Sequence, residues 1–337
     1  MRAGRAPINQ LPATGDSPPV FTVVIPLYNK AAHLRETLAS VAGQTFRSFE
    51  TLVVDDGSTD GSADLVRGEA MAGLRLLSQK NAGPGLARNL GIAEAKGAWV
   101  AFLDADDLWL PDHLATLHRI IEACPAVDLV ASAYVRGVRE TAKRLGEKRP
   151  GSAPPRIANF FAEHERVCAS AIAVRTTALQ ASGGFGAKWP GEDLELWTRL
   201  SLDHQLAVQD RVTAIYVQET GGAMDSLAGS APAEHDVIDD PALARVEAAL
   251  ADHRYRAKRG DLERFARQLL LSYVRPSLFH GKTGMARLYL EALRSRGGTA
   301  PFKYRVLSKI PSSLLRPAMR GYSIVKGRLR RSLRRAA

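Results

Sequence analysis

Short apolar runs alternate with stretches of helical spacing from Phe21 onward, and the runs end in polar clusters. Phe21-Thr-Val-Val-Ile-Pro26 reads as a first buried strand, ended by Pro26, which has no N–H to offer a ladder. Leu27-Tyr28-Asn29-Lys30 follows as a loop. Leu34, Leu38 and Val41 then recur at helical spacing in a helix from about Ala31 to Gly43. Phe49 to Asp55 is the second strand. It runs into Asp55-Asp56-Gly57-Ser58-Thr59-Asp60-Gly61, a tight turn in which Ser58, Thr59 or Asp60 is placed to cap the next helix. Leu74 to Ser78 is the third strand. Asn81-Ala-Gly-Pro-Gly85 breaks the chain before a helix from about Leu86 to Ala95, and Trp99 to Asp104 is the fourth strand.

This strand–helix alternation predicts right-handed βαβ units and a largely parallel α/β sheet with helices on both faces. Three strand ends, around Tyr28, Asp55/Asp56 and Asp104/Asp106, then fall on one edge, where open α/β sheets bind their ligands. The fourth strand leaves the sheet through Asp104, Asp106 and Asp107. Asp104 and Asp106 are two apart, so both can reach one hard cation such as Mg²⁺ or Mn²⁺, which takes carboxylate and phosphate oxygens. The competing reading is an acidic turn in which Asp107 caps a helix beginning near Pro111.

Further along, that helix continues toward Ala123, and Asp128 to Tyr134 and Cys168 to Val174 are strand candidates. Residues 136–166 are polar and broken by Pro and Gly. A glycine-rich loop, Gly183-Gly-Phe-Gly-Ala-Lys-Trp-Pro-Gly, delivers Glu192 and Asp193 to the start of an amphipathic helix carrying Leu196, Trp197 and Leu200. Two carboxylates there either do chemistry or complement the positive end of the helix dipole. Trp189 and Trp197 are candidates to stack on a sugar ring, with core packing the favoured role for Trp197. Val212 to Val217 is the last strand before a loop containing His235. Ala244 to Ala257, Leu262 to Tyr273 and Met285 to Arg294 read as amphipathic helices that pack on the sheet or pair two copies as a homodimer.

Charge alters this picture at one end. From Ala292 onward there are 13 Lys or Arg and no Asp or Glu, so everything before carries −2 of the +11 net charge. A nearly neutral body argues against a nucleic-acid-binding core. In the tail, Val325, Leu329 and Leu333 form an apolar stripe among Lys326, Arg328, Arg330, Arg331, Arg334 and Arg335. A helix over 322–335 of this kind suits an anionic membrane surface. The two cysteines, Cys124 and Cys168, lack metal-site or disulfide spacing and suit a reducing compartment. No apolar stretch is long enough to span a bilayer, and Met1 to Pro19 reads as a disordered leader.

Val24-Ile-Pro-Leu-Tyr-Asn29, Gln44-Thr-Phe46, Val54-Asp-Asp-Gly-Ser-Thr-Asp60, Asn81-x-Gly83 with Ala87-Arg-Asn89, and Phe102-Leu-Asp-Ala-Asp-Asp107 together resemble family 2 glycosyltransferases of the GT-A fold. The match covers roughly Phe21 to Tyr216 and does not specify the sugar. The resemblance implies a nucleotide-sugar donor, usually a UDP-sugar. By its motifs, Pro26, Tyr28 and Asn29 line the nucleoside pocket. Asp56, with Asp55, hydrogen-bonds the uracil, and Arg88 lies near the donor phosphates or sugar. Asp104 faces the ribose or the metal, and Asp106 ligates Mn²⁺ or Mg²⁺. Asp193 corresponds to the family's catalytic base, with Glu192 beside it. A late His sometimes joins the metal in this fold, which makes His235 a candidate. Read without the resemblance, Tyr28 and Asn29 are ordinary loop residues, Asp56 serves an Asx-turn, and Arg88 is a solvated helix residue.

The resemblance implies a Rossmann-like GT-A mixed α/β sheet flanked by helices, with a catalytic domain over 20–225 and a helical, basic extension over 226–337. Its expected work is single-sugar transfer, with inversion, to a saccharide or lipid-linked acceptor at the cytoplasmic face of a cell membrane. The Gln-x-x-Arg-Trp motif of processive synthases is absent. The rivals are a sugar nucleotidyltransferase, which needs a Gly-rich basic loop where Leu27 to Lys30 stands, a non-catalytic scaffold, and a tail-mediated nucleic-acid binder.

Overall fold

The computed structural model describes residues 18–137, 153–187, 191–218, 240–279 and 282–311, with 144 and 313. The Met1 to Pro19 leader, apart from its last two residues, Trp189, His235 and the 322–335 segment lie outside the described residues. In chain order the elements are β1 (Phe21–Leu27), α1 (Ala31–Ala42), β2 (Phe49–Asp55), α2 (Ser62–Arg67), β3 (Leu74–Ser78), α3 (Pro84–Ala93) and β4 (Trp99–Phe102). Then come β5 (Leu108–Trp109), α4 (His113–Ala123), β6 (Leu129–Gly137), β7 (Arg156–Ala158), α5 (Phe160–Glu163), β8 (Ile172–Arg175) and α6 (Thr176–Ser182). The last are α7 (Glu192–Asp203), β9 (Leu206–Val217), α8 (Pro241–Ala251), α9 (Arg259–Phe279), α10 (Thr283–Ser295) and α11 (Phe302–Leu307).

Among the described residues the strands form one sheet in the order β3-β2-β1-β4-β8-β6-β9-β5, with β7 on β9. β1, β2, β3 and β4 are parallel, as expected. β8 is antiparallel to both β4 and β6, so the sheet is mixed. The physical reason lies at the site edge. Ser170 Oγ accepts from the Asp104 N–H at 3.1 Å, so the chain enters β8 at the edge where β4 leaves.

Side-chain alternation splits the core across the two faces. β1 sends Val23 and Ile25 to a cluster with α1 and α4, and Val24 to the opposite cluster with Phe102, α7, α8 and α9. The amphipathic helices after 240 therefore pack on the sheet: Val246, Leu262 and Phe265 share that second core with Trp197. β1 extends one residue past Pro26, which pairs in register with Val54, so the proline does not end the strand. α4 starts at His113, not Pro111, and Asp107 does not cap it; Asp112 holds the N-cap position. Residues 169–171 are a 3₁₀ turn, so the Cys168 to Val174 strand begins at Ile172. The helix expected over Ala244 to Ala257 ends at Ala251, where Asp252 caps a separate 3₁₀ turn.

Candidate active site

The carboxyl edge of β1, β2 and β4 gathers the acidic residues. Asp56 is buried behind β2 and accepts three hydrogen bonds from the following loop. Gln79 Nε2 donates to Oδ1 at 2.7 Å, the Ala82 N–H to Oδ1 at 2.8 Å, and the Gly83 N–H to Oδ2 at 2.8 Å. The carboxylate thereby ties the Asn81-Ala-Gly-Pro-Gly85 loop to the strand. Asp55 accepts from the Ser58 N–H at 3.0 Å, closing the Asx-turn at Gly57.

The loop after β1 is fastened to the same turn. Asn29 adopts a left-handed φ of 51°. Its N–H reaches Ser58 Oγ at 3.1 Å, and its Oδ1 accepts from the Thr59 N–H at 2.8 Å. The Lys30 N–H donates to Ser62 Oγ at 3.0 Å. Asp60 holds two helix starts, accepting from the Ala31 N–H at 2.9 Å and the Ser62 N–H at 3.0 Å. Burial raises the Asp60 carboxyl, but the bonds from Ser62 and Ala31 outweigh it and keep it below its ordinary value. Tyr28 is left 49% exposed at the mouth of this edge, free to meet a planar ligand. Pro26 stays within the ladder behind it.

The turn after β4 carries the acidic trio to three different fates. Asp104 Oδ1 accepts from Arg88 at 2.7 Å. Asp106 Oδ2 meets Lys30 Nζ at 2.5 Å. Asp107 is fully buried: Ser170 Oγ donates to Oδ2 at 2.5 Å and the Val217 N–H to Oδ1 at 2.9 Å. Burial, with Asp104 and Asp106 beside it, pushes the Asp107 carboxyl well up. It is a strut joining the β4 turn to the start of β8 and the end of β9.

The glycine loop before α7 is clamped by α3. Asn89 Nδ2 donates to Phe185 O at 2.9 Å, and the Phe185 N–H returns to Asn89 Oδ1 at 2.8 Å. Gly184, at φ +71°, brings its Cα against that amide; a Cβ there would lie 2.3 Å from Asn89 Oδ1. Phe185 packs on Phe102 and Trp197, and Arg88 lies over its ring at 5.2 Å. Trp197 is thus a core residue, buried between Phe102 and Phe185.

Arg88 completes the junction. Its side chain is 5% exposed, with one nitrogen on Asp104 and another 3.0 Å from Glu192 Oε1. Burial would disfavour its charge, yet Asp104 and Glu192 hold the guanidinium firmly protonated. The bridge places Asp193, partly buried at the first turn of α7, within the field of Arg88 and Asp104. Burial raises the Asp193 carboxyl, Arg88 opposes that, and the balance leaves it above the ordinary aspartate value. Glu192 is raised in the same way, first by burial, against the pull of Arg88. A carboxylate with a raised pKa is a better proton acceptor than an exposed one.

Asp104 and Asp106 supply hard oxygen donors to a divalent cation, and the Lys30 ammonium already marks a position for positive charge on Asp106. Among the described residues no third His, Cys, Asp or Glu joins them in a metal-sized cluster. The residues fit a Mg²⁺ or Mn²⁺ ion of the kind completed by substrate phosphates and water.

The structure thus brings Asp55, Asp56, Tyr28, Asn29, Asp104, Asp106, Arg88, Glu192 and Asp193 to one edge. Sequence reasoning gave no role to Lys30, Asn89 or Ser170. Asp60, read as a candidate cap, does accept from the first N–H of α2, whereas Asp107, read as capping a helix near Pro111, instead braces the β4 turn.

The parallel β1–β4 half and the antiparallel β8 form a mixed sheet flanked by helices, a fold similar to that of GT-A glycosyltransferases. Residues 22–181 match the family model for glycosyl transferase family 2. The succinoglycan biosynthesis protein ExoW of Rhizobium meliloti is 45% identical over 105 residues, 29% of this chain and 33% of ExoW. Staphylococcus aureus TarS 1-349, solved in complex with UDP-GlcNAc, superimposes with a TM-score of 0.62 at 21% identity, covering 89% of this chain and 86% of that one. The Pyrobaculum calidifontis mannosyltransferase PcManGT, solved with GDP-Man and Mn²⁺, gives 0.57 at 22% identity, covering 86% and 79%. Alignments to the curated relatives span from 17% to 37% of those proteins' lengths.

Proposed function

We propose that this chain transfers one sugar from a nucleotide-sugar, a UDP-sugar, to a hydroxyl of a saccharide or lipid-linked acceptor, with inversion. The observation that carries the reading is the Arg88 bridge, which joins the acidic end of β4 to Glu192 and so sets Asp193 beside it. Asp193 takes the acceptor hydroxyl proton as the oxygen forms its bond to the anomeric carbon and the bond to the nucleoside diphosphate breaks. Attack from the face opposite the leaving group inverts that carbon. Tyr28 and Asn29 line the nucleoside pocket against Pro26, and Asp56 and Asp55 shape its far wall and present the base-binding edge. Asp106, with Asp104, would hold Mn²⁺ or Mg²⁺. Such an ion, when bound, stabilises the charge developing on the departing diphosphate.

The same reading divides the chain into a catalytic unit over 20–225 and a helical extension over 226–337. It places the protein at the cytoplasmic face of a membrane, in cell-surface polysaccharide or glycolipid assembly. No described helix is long and apolar enough to cross a membrane. Support for surface attachment comes from α11, where Phe302 is 73% exposed and Val306 is exposed one turn on, among Lys303, Arg305 and Lys309. That pairing of apolar and basic groups extends toward the 322–335 segment and fits anionic headgroups.

The test is nucleotide release from a panel of UDP- and GDP-sugars, with and without Mn²⁺ and with membrane extract as acceptor source. One donor turning over in a metal-dependent way, with the product anomer inverted, is the expected result. Binding without turnover in every combination would favour a scaffold instead. Flotation with anionic vesicles, for the full chain and for a chain ending at 311, tests the membrane arm.

A further inference from the structure

We infer that Lys30 is an internal counter-cation for Asp106, a positioning residue that the divalent ion must displace, so that metal and nucleotide load together. The inference rests on the reading of Asp106 as a metal ligand. Its observation is the 2.5 Å contact between Lys30 Nζ and Asp106 Oδ2, with both side chains sheltered at 17% and 16% exposure. A divalent ion bonded to the same carboxylate would stand against the ammonium. The two cations therefore compete for Asp106.

The backbone around Lys30 is fixed by hydrogen bonds, while its side chain is held through the ion pair to Asp106. Asn29 is locked to Ser58 and Thr59, the Lys30 N–H to Ser62, and the Ala31 N–H to Asp60. Only the four-carbon stem has to swing. Lysine suits this, as a point charge on a flexible stem with three interchangeable donors. Arg88 is the contrast, forked between two carboxylates and 5% exposed, fixed where it is. The site thus carries one immobile and one releasable cation.

Release needs a new anionic partner, and the diphosphate of the donor provides it on the same edge. Without nucleotide, Lys30 weakens metal binding by occupying Asp106. With nucleotide, the ammonium moves onto a phosphate oxygen and the carboxylate opens to the ion. Metal and nucleotide affinities are then coupled, and the coupling is reciprocal.

The experiment is Mn²⁺ binding to the full chain, followed by loss of the free-ion electron paramagnetic resonance signal, with and without UDP. Enzyme-free Mn²⁺–UDP titrations are subtracted, and GDP replaces UDP if the donor panel selects it. Wild type should bind Mn²⁺ weakly alone and at least about tenfold more tightly with the nucleotide, a coupling within the usual allosteric range. Lys30→Met, and the neutral Lys30→Gln as a second variant, should bind Mn²⁺ about fivefold or more tightly alone and lose most of the nucleotide dependence. Asp106→Asn should lose binding in both conditions. If Asp106→Asn loses binding while both Lys30 variants match wild type, the Lys30 inference is overturned and the metal reading stands. If Asp106→Asn binds like wild type, the metal reading fails and takes this inference with it.

Discussion

Arg88 and Glu192, 104 positions apart in the chain, meet at 3.0 Å in a buried ion pair. The other arm of the same guanidinium holds Asp104. One side chain therefore couples the acidic end of β4 to the helix that carries Asp193. Removing one partner of a buried charge pair leaves uncompensated charge, typically at a cost of about 3–5 kcal/mol. Arg88→Met should lower stability by about 3 kcal/mol in urea unfolding. Adding Glu192→Leu should recover part of that loss. Arg88→Lys should fold with reduced but measurable activity, because one ammonium cannot serve both carboxylates with the geometry of a fork.

Asp193→Asn should cut sugar transfer by roughly 10²–10⁴-fold while nucleotide binding persists. The base must be ionised to work, and burial holds the Asp193 carboxyl above its ordinary value. Activity should therefore fall as pH drops through an apparent pKa higher than that of an exposed aspartate. Arg88 opposes the shift, so an Arg88→Lys enzyme with a displaced charge should show its acid limb at higher pH than wild type. A pH–rate profile of kcat/KM for the two proteins checks the direction.

The strands at 49–55 and 74–78 were readable to the residue, because apolar runs closed by Asp-Asp-Gly and by a Gly-Pro-Gly loop leave little freedom. So was the shared edge, since parallel strands put their carboxyl ends together. The turn of β8 against its neighbours was not readable. Its direction depends on Ser170 docking at Asp104, a contact 66 positions long with no periodic trace. The short β5 and β7 and the single-turn α5 lack the length to show a period at all. Side-chain fates within the site were equally hidden. Asp104, Asp106 and Asp107 look alike in the chain, and only tertiary contacts assign them to Arg88, Lys30 and the Ser170–Val217 strut.

Asp56 offers a different kind of test. Its two oxygens serve different backbone donors, Ala82 N–H on Oδ1 and Gly83 N–H on Oδ2. In Asp56→Asn one of those N–H groups must face an NH₂. Leaving a buried donor unsatisfied costs about 1–3 kcal/mol. The variant should lose about that much stability and bind UDP more weakly, because the Asn81–Gly85 loop loosens. Asp56→Asn with unchanged loop protection in hydrogen exchange would show that the carboxylate does not organise this wall.

His113 ties stability to pH on the far side of the sheet edge. It is fully buried on α4, stacked on Trp109 with ring centroids 4.2 Å apart. Nδ1 sits 2.8 Å from Thr213 Oγ1 and 3.4 Å from Ser132 Oγ. Burial drives its pKa down to about 3, and the nearby Asp112 only partly opposes this. The folded protein thus keeps the ring neutral, while the unfolded chain protonates it near the ordinary value of about 6.5. A folded pKa below the unfolded one means this contribution is complete above about pH 6.5 and is lost as pH falls from there toward 3. Between pH 6.5 and 5 the loss from this one group should be about 2 kcal/mol. His113→Gln cannot protonate, so its unfolding free energy should be lower at neutral pH but fall less steeply on acidification. Urea unfolding of both proteins at pH 7.5, 6 and 5 reads the difference; parallel slopes would assign the acid sensitivity elsewhere.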